Sequence, residues 1–409
     1  MEQALTLNKK HNTRVVGKRI PPALWALTIS AFAIGTTEFV AVGILPTIAE
    51  SLHITVSSSG LLVSIYALGV AIGGPILTAF TSHLPRKPLL MSMMGLFILG
   101  HIAAAVAPNF GLLLTARFIS GFAHAVFFGV GATIAATLVT PDKKATAIAI
   151  MFAGLTVAII AGVPLGTFIG QHFGWRATFI GVAILGGIGF MATFLLLPGD
   201  LKKGVPLHIA DQLRVLKNKH IVMVLGITAL GYGGTFVVFT YLATLLEKIS
   251  GFTASSVSLL LLLYGVAIAL GNMIGGKISN FNPAKILIKL FIYEAIVLFL
   301  FTFSSHQPVT AILTLLLMGG LSFAAVPGLQ LYVVQMAEKY LPGTEDISSA
   351  LNISAFNLGV AIGASVGGKV VDTPSLGLNA TPWIGAIIVL AGAGLTVLSY
   401  RQNKTHAVG

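Results

Sequence analysis

One ionisable side chain, Glu38, lies inside the first long apolar stretch of the chain, where a carboxyl group could carry a proton. The stretch runs from Leu24 to Pro46 and holds no other ionisable residue. A carboxylate within a membrane span costs on the order of 2.5–3.5 kcal/mol by insertion scales, so such groups are rarely kept without a use. One interpretation is that Glu38 is protonated or paired and only tethers neighbouring helices. The sharper hypothesis is that Glu38 takes up and releases a proton while it faces a watery cavity.

Arg117 is a candidate partner for Glu38, because the two side chains are expected at similar depth. Glu38 lies toward the outer part of the first apolar span, and Arg117 lies in the first third of the fourth, which runs in the opposite direction. A guanidinium keeps its proton in a protein, so a buried one needs acceptors or a carboxylate. A nearby cation favours the charged carboxylate, whereas loss of water favours the neutral acid. We therefore expect the proton affinity of Glu38 to depend on how close Arg117 lies and on how much water reaches the pair.

Two further ionisable groups lie within apolar spans. His124 is two turns beyond Arg117 on the same side of the fourth span. It could titrate near neutral pH, bind cargo, or be an ordinary core histidine. Glu294 lies midway along the ninth span, where Lys289 or Tyr293 could satisfy it. The alternative for Glu294 is a second proton site.

The elements that must position these groups are membrane-spanning helices. The chain has 409 residues, of which 56% are hydrophobic and 9% are charged, and its mean hydropathy is +0.95. Soluble domains carry about 25% charged residues, so the composition predicts an integral membrane protein. The absence of cysteine excludes disulfides, thiol catalysis and cysteine-ligated metal sites. The ten histidines show no metal-ligand spacing, and the net charge of +12 is spread between spans, which argues against a nucleic-acid surface.

Twelve apolar spans are each long enough to cross a hydrocarbon core of about 30 Å as a helix. The predicted spans are 22–45, 58–80, 88–107, 111–139, 143–170, 175–197, 221–247, 254–278, 284–304, 308–337, 346–371 and 379–400. If both termini are cytoplasmic, twenty of the 24 Lys and Arg residues fall on the inner side. The outer side then holds only Arg176, Lys248 and Lys369, and Arg117 lies within a span. This bias favours cytoplasmic termini.

The chain divides into two similar halves. The polar segment 198–220 is predicted to be a cytoplasmic linker, and its part from His208 to Lys217 could form a short interfacial helix. We expect residues 1–197 and 221–409 to form an N-terminal and a C-terminal six-helix bundle. Several residues recur 198 positions later: Tyr66, Gly73, Pro85, Lys87 and Gly121 reappear as Tyr264, Gly271, Pro283, Lys285 and Gly319. Six helices return the chain to the same side, so the halves are predicted to be parallel repeats.

Small residues recur at every fourth position in two corresponding spans. The fifth span carries Gly154, Ala158, Gly162, Gly166 and Gly170, with Pro164 among them, and the eleventh carries Ala355, Gly359, Gly363 and Gly367. Residues four apart share one helix face, small faces let helices approach closely, and proline bends a helix. We expect both faces to lie at the boundary between the bundles, where they would rock or seal. Static close packing is the alternative.

Longer motifs carry a specific resemblance. GLTVAIIAGVPLG at 154–166, followed by Gly170, resembles the helix 5 antiporter motif of the twelve-helix drug:proton antiporters of the major facilitator superfamily. RFISGFAHAVFFG at 117–129 resembles the helix 4 motif of that group. TTEFVAVGILP at 36–46, GQHFGWRATF at 170–179 and LNISAFNLGVAIGA at 351–364 resemble arabinose-efflux-permease-like and chloramphenicol-resistance-like exporters. The resemblance extends over nearly the whole chain.

The resemblance implies a fold and a function. The expected fold is an all-α integral membrane protein with twelve transmembrane helices in two six-helix bundles, the major facilitator fold. The expected function is a proton-coupled antiporter in a bacterial plasma (inner) membrane, exporting drugs or small metabolites by rocker-switch alternating access. A sugar or nucleoside efflux transporter is the alternative. The expected partners are a small-molecule substrate, protons and the lipid bilayer, with the proton gradient as energy source. We expect a monomer without enzymatic activity, cofactor, metal or nucleic acid.

One motif departs from the family pattern. The loop between helices 2 and 3 usually holds an aspartate, an arginine and then a glycine before two basic residues. Here TSHLPRK (81–87) has Ser82 and His83 at the first two positions and Pro85 at the third, so only Arg86 and Lys87 match. The usual charge relay is therefore in doubt. Arg86 and Lys87 could contact helix ends or lipid phosphates, or only supply inside-positive charge.

The cargo cavity is expected between spans 1, 2, 4 and 5 of one half and spans 7, 8, 10 and 11 of the other. Aromatic side chains offer broad apolar contact with polar tips, and amides offer hydrogen bonds. This mixture suits a partly apolar, neutral or cationic molecule, although ordinary helix packing would explain some of these residues. The candidate contacts are Phe39, Tyr66, Phe128, Tyr232, Phe236, Tyr241, Tyr264, Gln330, Asn352 and Asn357.

Overall fold

A computed structural model describes residues 21–81, 84–139, 144–201, 209–279 and 282–405 of the chain. Within these ranges the chain is helical, and twelve helical segments are long and apolar enough to cross a membrane. The N-terminal helices are α1 (Pro22–Ser51), α2 (Val56–Thr81), α3 (Arg86–Ala105), α4 (Phe110–Thr137), α5 (Lys144–Val157), a π-helical turn (Ala158–Gly162), α6 (Val163–Phe173) and α7 (Trp175–Leu196).

A short helix, α8 (Ile209–Leu216), precedes the second half. The remaining helices are α9 (Lys219–Phe239), α10 (Leu242–Lys248), α11 (Ala254–Ser279), α12 (Pro283–Ser304), α13 (Pro308–Tyr340), α14 (Glu345–Asp372), a 3₁₀ turn (Leu378–Ala380) and α15 (Thr381–Thr405). Each predicted span coincides with a helical segment, and the predicted interfacial helix coincides with α8. The all-α fold of twelve transmembrane helices is thereby confirmed.

Two spans are interrupted. The fifth consists of α5, the π turn and α6, and Pro164 is the second residue of α6 after the turn. A proline has no N–H to donate and crowds the preceding turn, so a local rearrangement at this place follows from the sequence. The seventh span breaks at Thr240 and Tyr241, between α9 and α10. In contrast, α1 continues through Pro46 to Ser51, beyond the predicted end of the first span.

Large apolar side chains lie exposed on the outer faces of the helices. Examples are Leu99, Ile184, Phe303 and Leu313, which are between 59% and 66% exposed. Buried residues on the opposite faces form the cores of the bundles. Helices that are apolar on both faces are expected where the surrounding medium is lipid. The protein is therefore a multi-pass membrane protein, as its hydropathy predicts.

The two halves repeat the same helix packing. In the first half α2 packs on α4, α3 on α4 and α7, and α1 on α5 and α7. In the second half α11 packs on α13, α12 on α13 and α15, and α9 on α14 and α15. The recurrence at 198 residues is visible in these contacts. A Cβ atom at Gly121 would collide with the backbone of Tyr66, and one at Gly319 would collide with the ring of Tyr264.

The two halves meet most closely where α2 and α11 begin, an end of the molecule that we call the closed end. There Tyr241 Oη donates to the carbonyl oxygens of Ala364, at 3.1 Å, and Ser57, at 3.4 Å. Ser258 Oγ donates to Gln171 Oε1 across the α6–α11 contact at 2.9 Å. Toward the opposite end, the packing of α11 on α5 is slight among the described residues, whereas α2 remains packed on α14, since a Cβ at Gly74 would lie 3.1 Å from Ser354 Oγ. The two bundles are therefore joined at the closed end and along the contact between α2 and α14.

The small-residue stripes do not lie at the boundary between the bundles, so the expected rocking surface was placed on the wrong helix face. A Cβ at Gly154, Gly162, Gly166 or Gly170 would meet α1 of the same bundle. In the eleventh span the small face of α14 packs on α9, since a Cβ at Gly359, Gly363 or Gly367 would meet Ala229, Gly233 or Val237. The stripes thus allow close packing inside each bundle. The boundary instead uses Ile159 and Ile160 against Gly265.

The basic residues after α2 act at a helix end. Lys87 Nζ donates to the carbonyl oxygens of Phe194 at 2.8 Å and Leu197 at 2.6 Å, where α7 ends. A cation stabilises a helix C-terminus because the last carbonyl groups lack intrahelical partners. The interpretation of helix-end contact is therefore confirmed for Lys87. Ser82 and His83, which depart from the family pattern, lie outside the described residues.

Candidate functional site

Glu38 lies between the two bundles. Its neighbours Thr37 and Phe39 are buried, at 0% and 3% exposure, whereas Glu38 itself is partly exposed. Glu38 is within electrostatic range of Arg117 in its own bundle and of Tyr232 in the other. The Phe39 ring contacts Phe239 and Phe323 of the second bundle, with ring centroids 6.2 Å apart in both pairs. The carboxyl group therefore faces the space between the bundles rather than lipid.

A directed hydrogen-bond chain holds Arg117 beside this space. His101 Nδ1 lies 2.7 Å from the carbonyl oxygen of Phe97, which can only accept, so Nδ1 carries the hydrogen. In the neutral ring Nε2 then accepts from the Thr37 hydroxyl, 2.6 Å away. The Thr37 oxygen in turn accepts from Arg117 Nη1 at 2.7 Å. This order fixes the tautomer of His101 and leaves the guanidinium in one orientation.

Arg117 retains unused donors. Its guanidinium carbon lies 4.0 Å from the centre of the Tyr66 ring, a cation–π contact. Tyr66 Oη is 3.0 Å from His124 Nδ1, which brings the predicted His124 to the same cluster. Arg117 Nε and Nη2 are buried without a hydrogen-bond partner among the described residues, so neither is bonded to Glu38. Buried donors of a charged group are costly to leave unpaired, so the site is poised to accept an anionic oxygen.

An aromatic cluster fills the centre of the molecule beside Glu38. Tyr232 contacts Phe236 at 5.1 Å, Phe323 at 5.6 Å and Phe356 at 5.0 Å between ring centroids. The cluster consists of Phe39, Tyr232, Phe236, Phe239, Tyr264, Phe323 and Phe356. Four of the predicted cargo contacts, which are Phe39, Tyr232, Phe236 and Tyr264, thus belong to one cluster. Phe239, Phe323 and Phe356 join them without having been singled out from the sequence.

The other predicted cargo contacts lie elsewhere. Phe128 packs on His124, with ring centroids 4.9 Å apart. Asn352 accepts from Thr228 at 2.7 Å and donates to Gln330 at 3.0 Å, and Gln330 continues the chain to Ser349. Tyr241 lies at the closed end, apart from the aromatic cluster. Asn357 Nδ2 donates to Ile353 of its own helix at 3.1 Å.

His101 is a site residue that the sequence reasoning missed. It is buried at 0% exposure and carries the acceptor that orients Thr37. A signal was present, because a histidine in the third apolar span is as unusual as one in the fourth. Its role could not be assigned from spacing, since its partners come from α1 and α4.

Replacing His101 by phenylalanine is expected to weaken transport and its pH dependence, because the Thr37 hydroxyl loses its acceptor and Arg117 its fixed orientation. Leaving one buried polar group unpaired costs about 1–3 kcal/mol. His172 offers a matched control. It has the same Nδ1 contact to the carbonyl four residues earlier (2.9 Å) and the same ring contact to that phenylalanine, but it is exposed. We expect His172→Phe to transport like the wild type. Equal activity in both variants would contradict the role of His101.

Comparison with known proteins gives one consistent result. A sequence profile described as Major Facilitator Superfamily matches residues 27–344. The uncharacterized MFS-type transporter YtbD of Bacillus subtilis (strain 168) is 53% identical over 383 residues, 94% of this chain and 96% of that protein. The inner membrane transport protein YdhP of Escherichia coli (strain K12) is 37% identical over 380 residues, 93% and 96% of the two chains.

Two more distant proteins agree with these matches. The putative transporter AraJ of Escherichia coli (strain K12) is 31% identical over 384 residues, 93% of this chain and 96% of that protein. A crystal structure of a bacterial homologue of the human lysosomal transporter Spinster, inward-facing and unoccupied, superposes with a TM-score of 0.71. The superposition covers 93% of this chain and 96% of the other chain. The two sequences are 16% identical, so the comparison concerns the fold alone.

Proposed function

The chain belongs to the major facilitator superfamily and is a transporter rather than an enzyme, and we propose that it is a proton-coupled antiporter exporting drugs or small metabolites by rocker-switch alternating access. One observation carries the proposal. Glu38 is partly exposed between the bundles, within electrostatic range of a buried arginine with two unused donors. A carboxyl group so placed has two stable states: neutral and free, or charged and paired with Arg117.

The mechanism follows from these two states. When the protonated Glu38 loses its proton, the carboxylate gains the Nε or Nη2 hydrogens of Arg117 as partners. That pairing draws the α1 and α4 side chains together on the wall of the central space. The paired carboxylate is held against Arg117 and leaves the space beside Phe39 open to cargo, whereas the neutral, unpaired carboxyl group is free to enter that space and lowers the affinity for cargo. Proton binding and cargo binding thus oppose each other, which is the condition for antiport.

The orientation of the protein in the membrane follows from its charges. The end opposite the closed end carries Lys87, Lys217, Lys277, Lys285 and Lys339 among its basic residues. Positive residues favour the cytoplasmic side of a membrane. We therefore place this end of the molecule on the cytoplasmic side of a bacterial inner membrane, with both termini in the cytoplasm.

The cluster of aromatic rings favours a partly apolar cargo. Rings with hydroxyl tips supply broad contact area and a few hydrogen bonds, which suits molecules of varied shape. A sugar or nucleoside efflux transporter is a second candidate. The chain of hydrogen bonds through Thr228, Asn352, Gln330 and Ser349 favours it, since such groups could serve a hydroxyl-rich cargo. An anionic cargo would be expected to need several cations, whereas Arg117 is the one cation near the aromatic cluster among the described residues and is proposed to pair with Glu38.

The function is tested by transport in proteoliposomes with an imposed pH gradient. The purified full chain is reconstituted, and a panel of apolar cations, neutral drugs, sugars and nucleosides is screened for movement against the proton gradient. We expect at least one compound to accumulate, and a protonophore to abolish its accumulation. Transport that persists after collapse of the gradient would contradict proton coupling. Selective transport of sugars or nucleosides would establish the second candidate.

Alternating access is tested by a reversible crosslink at the closed end. Ser365 Oγ on α14 donates to Ser64 Oγ on α2 at 3.1 Å, so cysteines at both positions would lie within reach of a disulfide. The native chain contains no cysteine, so the pair would react without competing thiols. We expect oxidation to reduce transport to background and reduction to restore it. Each single cysteine variant is the control, and full transport in the crosslinked protein would contradict opening at this end.

A further inference from the structure

A second buried acid, Glu294 on α12, lies within the C-terminal bundle. It is 2% exposed, and Tyr293 beside it is 54% exposed, so the sequence-based suggestion that Lys289 or Tyr293 satisfies Glu294 is not met. The partners come from other helices. Glu294 Oε1 lies 2.6 Å from Ser322 Oγ on α13 and 3.3 Å from Thr235 Oγ1 on α9. Glu294 is thus held where three helices of the second bundle meet.

The hydrogen bonds around Glu294 can all be formed if its carboxyl group is neutral. Ser322 Oγ is also 2.6 Å from the carbonyl oxygen of Met318, and its single hydrogen cannot serve two acceptors at that distance. If Ser322 donates to Met318, the short contact to Glu294 requires a hydrogen on the carboxyl group. Glu294 Oε2 has no partner among the described residues, which an ionised carboxylate would not tolerate. A neutral Glu294 therefore fits these contacts better than an ionised one.

The Tyr264 hydroxyl group could donate a hydrogen bond to Glu294 when Glu294 is ionised. Tyr264 on α11 is 2% exposed, and its hydroxyl has no hydrogen-bond partner among the described residues. Tyr264 lies within electrostatic range of Glu294. Among the described residues, α9 and α13 bond to Glu294 through the hydroxyl groups of Thr235 and Ser322, and the titratable residues of α15, which are Tyr400, Arg401 and Lys404, lie near its end. Two unpaired atoms, Oε2 and the Tyr264 hydroxyl, would pair once the proton leaves.

The internal repeat relates this cluster to the one around Arg117. Thr235, Tyr264 and Ser322 stand 198 residues after Thr37, Tyr66 and His124. In the first bundle Thr37 bonds to Arg117 and Tyr66 bonds to His124. Both bundles therefore keep polar groups at three equivalent positions.

We propose that Glu294, with Thr235, Ser322 and Tyr264, forms a second exchangeable proton-binding site in the C-terminal bundle. On release, the proton passes from the carboxyl group to water. The carboxylate left behind accepts from Thr235, from Ser322 after its hydroxyl rotates away from Met318, and from Tyr264. The binding of this proton is independent of the proposed antiport, and only its use in transport rests on that function.

Infrared difference spectroscopy of the full chain in lipid tests the site without a known cargo. The carboxylic acid C=O stretching bands of buried acids are followed through pH steps in the wild type, Glu294→Gln and Glu38→Gln, with circular dichroism to verify folding. We expect two pH-dependent bands in the wild type, each lost in one variant. Glu50→Gln, at an exposed acid of α1, should remove neither. If the band lost in Glu294→Gln does not change with pH, or if no band is lost, the proposal is overturned.

A second pair of variants retains Glu294, in case Glu294→Gln does not fold. Tyr264→Phe removes only the reserve hydroxyl, and we expect the Glu294 band to persist to higher pH because the carboxylate has lost a donor. Tyr293→Phe is the matched control, since that side chain is adjacent in sequence but points outward. An unchanged titration in Tyr264→Phe would overturn the assigned role of Tyr264 in the site. Loss of gradient-driven transport in Glu38→Gln concerns the proposed function alone, so the two failures are distinguishable.

Discussion

Replacing Glu38 by glutamine is expected to abolish transport driven by a pH gradient while the protein remains folded. Glutamine keeps the size of the protonated acid and its capacity for hydrogen bonds, but it cannot release a proton. The protein would then be fixed in the neutral state of Glu38. The Nε and Nη2 donors of Arg117 would stay without an anionic partner in every conformation. Movement of cargo against its own gradient needs the charged state, so the initial rate should fall to that of protein-free vesicles.

The measurement is uphill transport in proteoliposomes, using a cargo found by the panel and matched amounts of protein. Downhill exchange of the same cargo should persist, because the aromatic cluster beside Phe39 is unchanged. Glu50→Gln is the matched control, since it makes the same chemical change on the same helix at an exposed position. That variant should transport like the wild type. Gradient-dependent transport retained in Glu38→Gln would exclude the proposed role of Glu38.

The helices of this protein could be predicted from its sequence because their cause is local. An uninterrupted apolar run of about twenty residues has few alternatives in a membrane, and all twelve runs coincide with helical segments. The similar depth of Glu38 and Arg117 in the membrane could be predicted for the same reason. Helix direction and rise per residue set the depth of a side chain without any knowledge of packing. Their placement in one electrostatic neighbourhood needed in addition the expectation, which came from the family resemblance, that helices 1 and 4 line the same cavity.

The direction in which a helix face points could not be predicted in this way. A stripe of small residues indicates that another backbone is close, but it does not identify that backbone. Gly154 was therefore assigned to the boundary between bundles, although its neighbour is Thr28 of α1. The partners of Glu294 were sought on its own helix, although they lie on α9 and α13. Such contacts depend on tertiary packing, which spacing along one chain segment does not contain.

The internal repeat is the part of the sequence that carried tertiary information. The offset of 198 residues pairs Tyr66 with Tyr264 and Gly121 with Gly319, and the structure shows the corresponding contact in both bundles. The same offset also relates Thr37 to Thr235. That pair marks both polar clusters, since one threonine bonds to Arg117 and the other to Glu294. A repeat therefore locates equivalent positions even where the residues that perform chemistry differ.

Replacing Arg117 by lysine is expected to reduce gradient-driven transport although the charge is kept. A guanidinium is planar and can lie on the Tyr66 ring while Nη1 bonds to Thr37 and other N–H groups stay free for Glu38. An ammonium group is compact and cannot hold these contacts together. Loss of one hydrogen bond to a charged group costs about 1.5–3 kcal/mol. Since about 1.4 kcal/mol corresponds to a factor of ten, the transport rate should fall about tenfold to a hundredfold.

Arg176 provides a control with nearly the same contacts. Its guanidinium carbon lies 4.1 Å from the centre of the Trp175 ring, and Nη2 donates to the carbonyl oxygen of Ala107 at 3.0 Å. Arg176 is exposed, at the beginning of α7 and away from Glu38. Arg176→Lys should therefore transport like the wild type. If both lysine variants lost activity equally, or neither did, the geometry of Arg117 would not matter for coupling. A loss confined to Arg117→Lys would show that the orientation imposed by Thr37 and Tyr66, and not charge alone, lets Arg117 pair with Glu38.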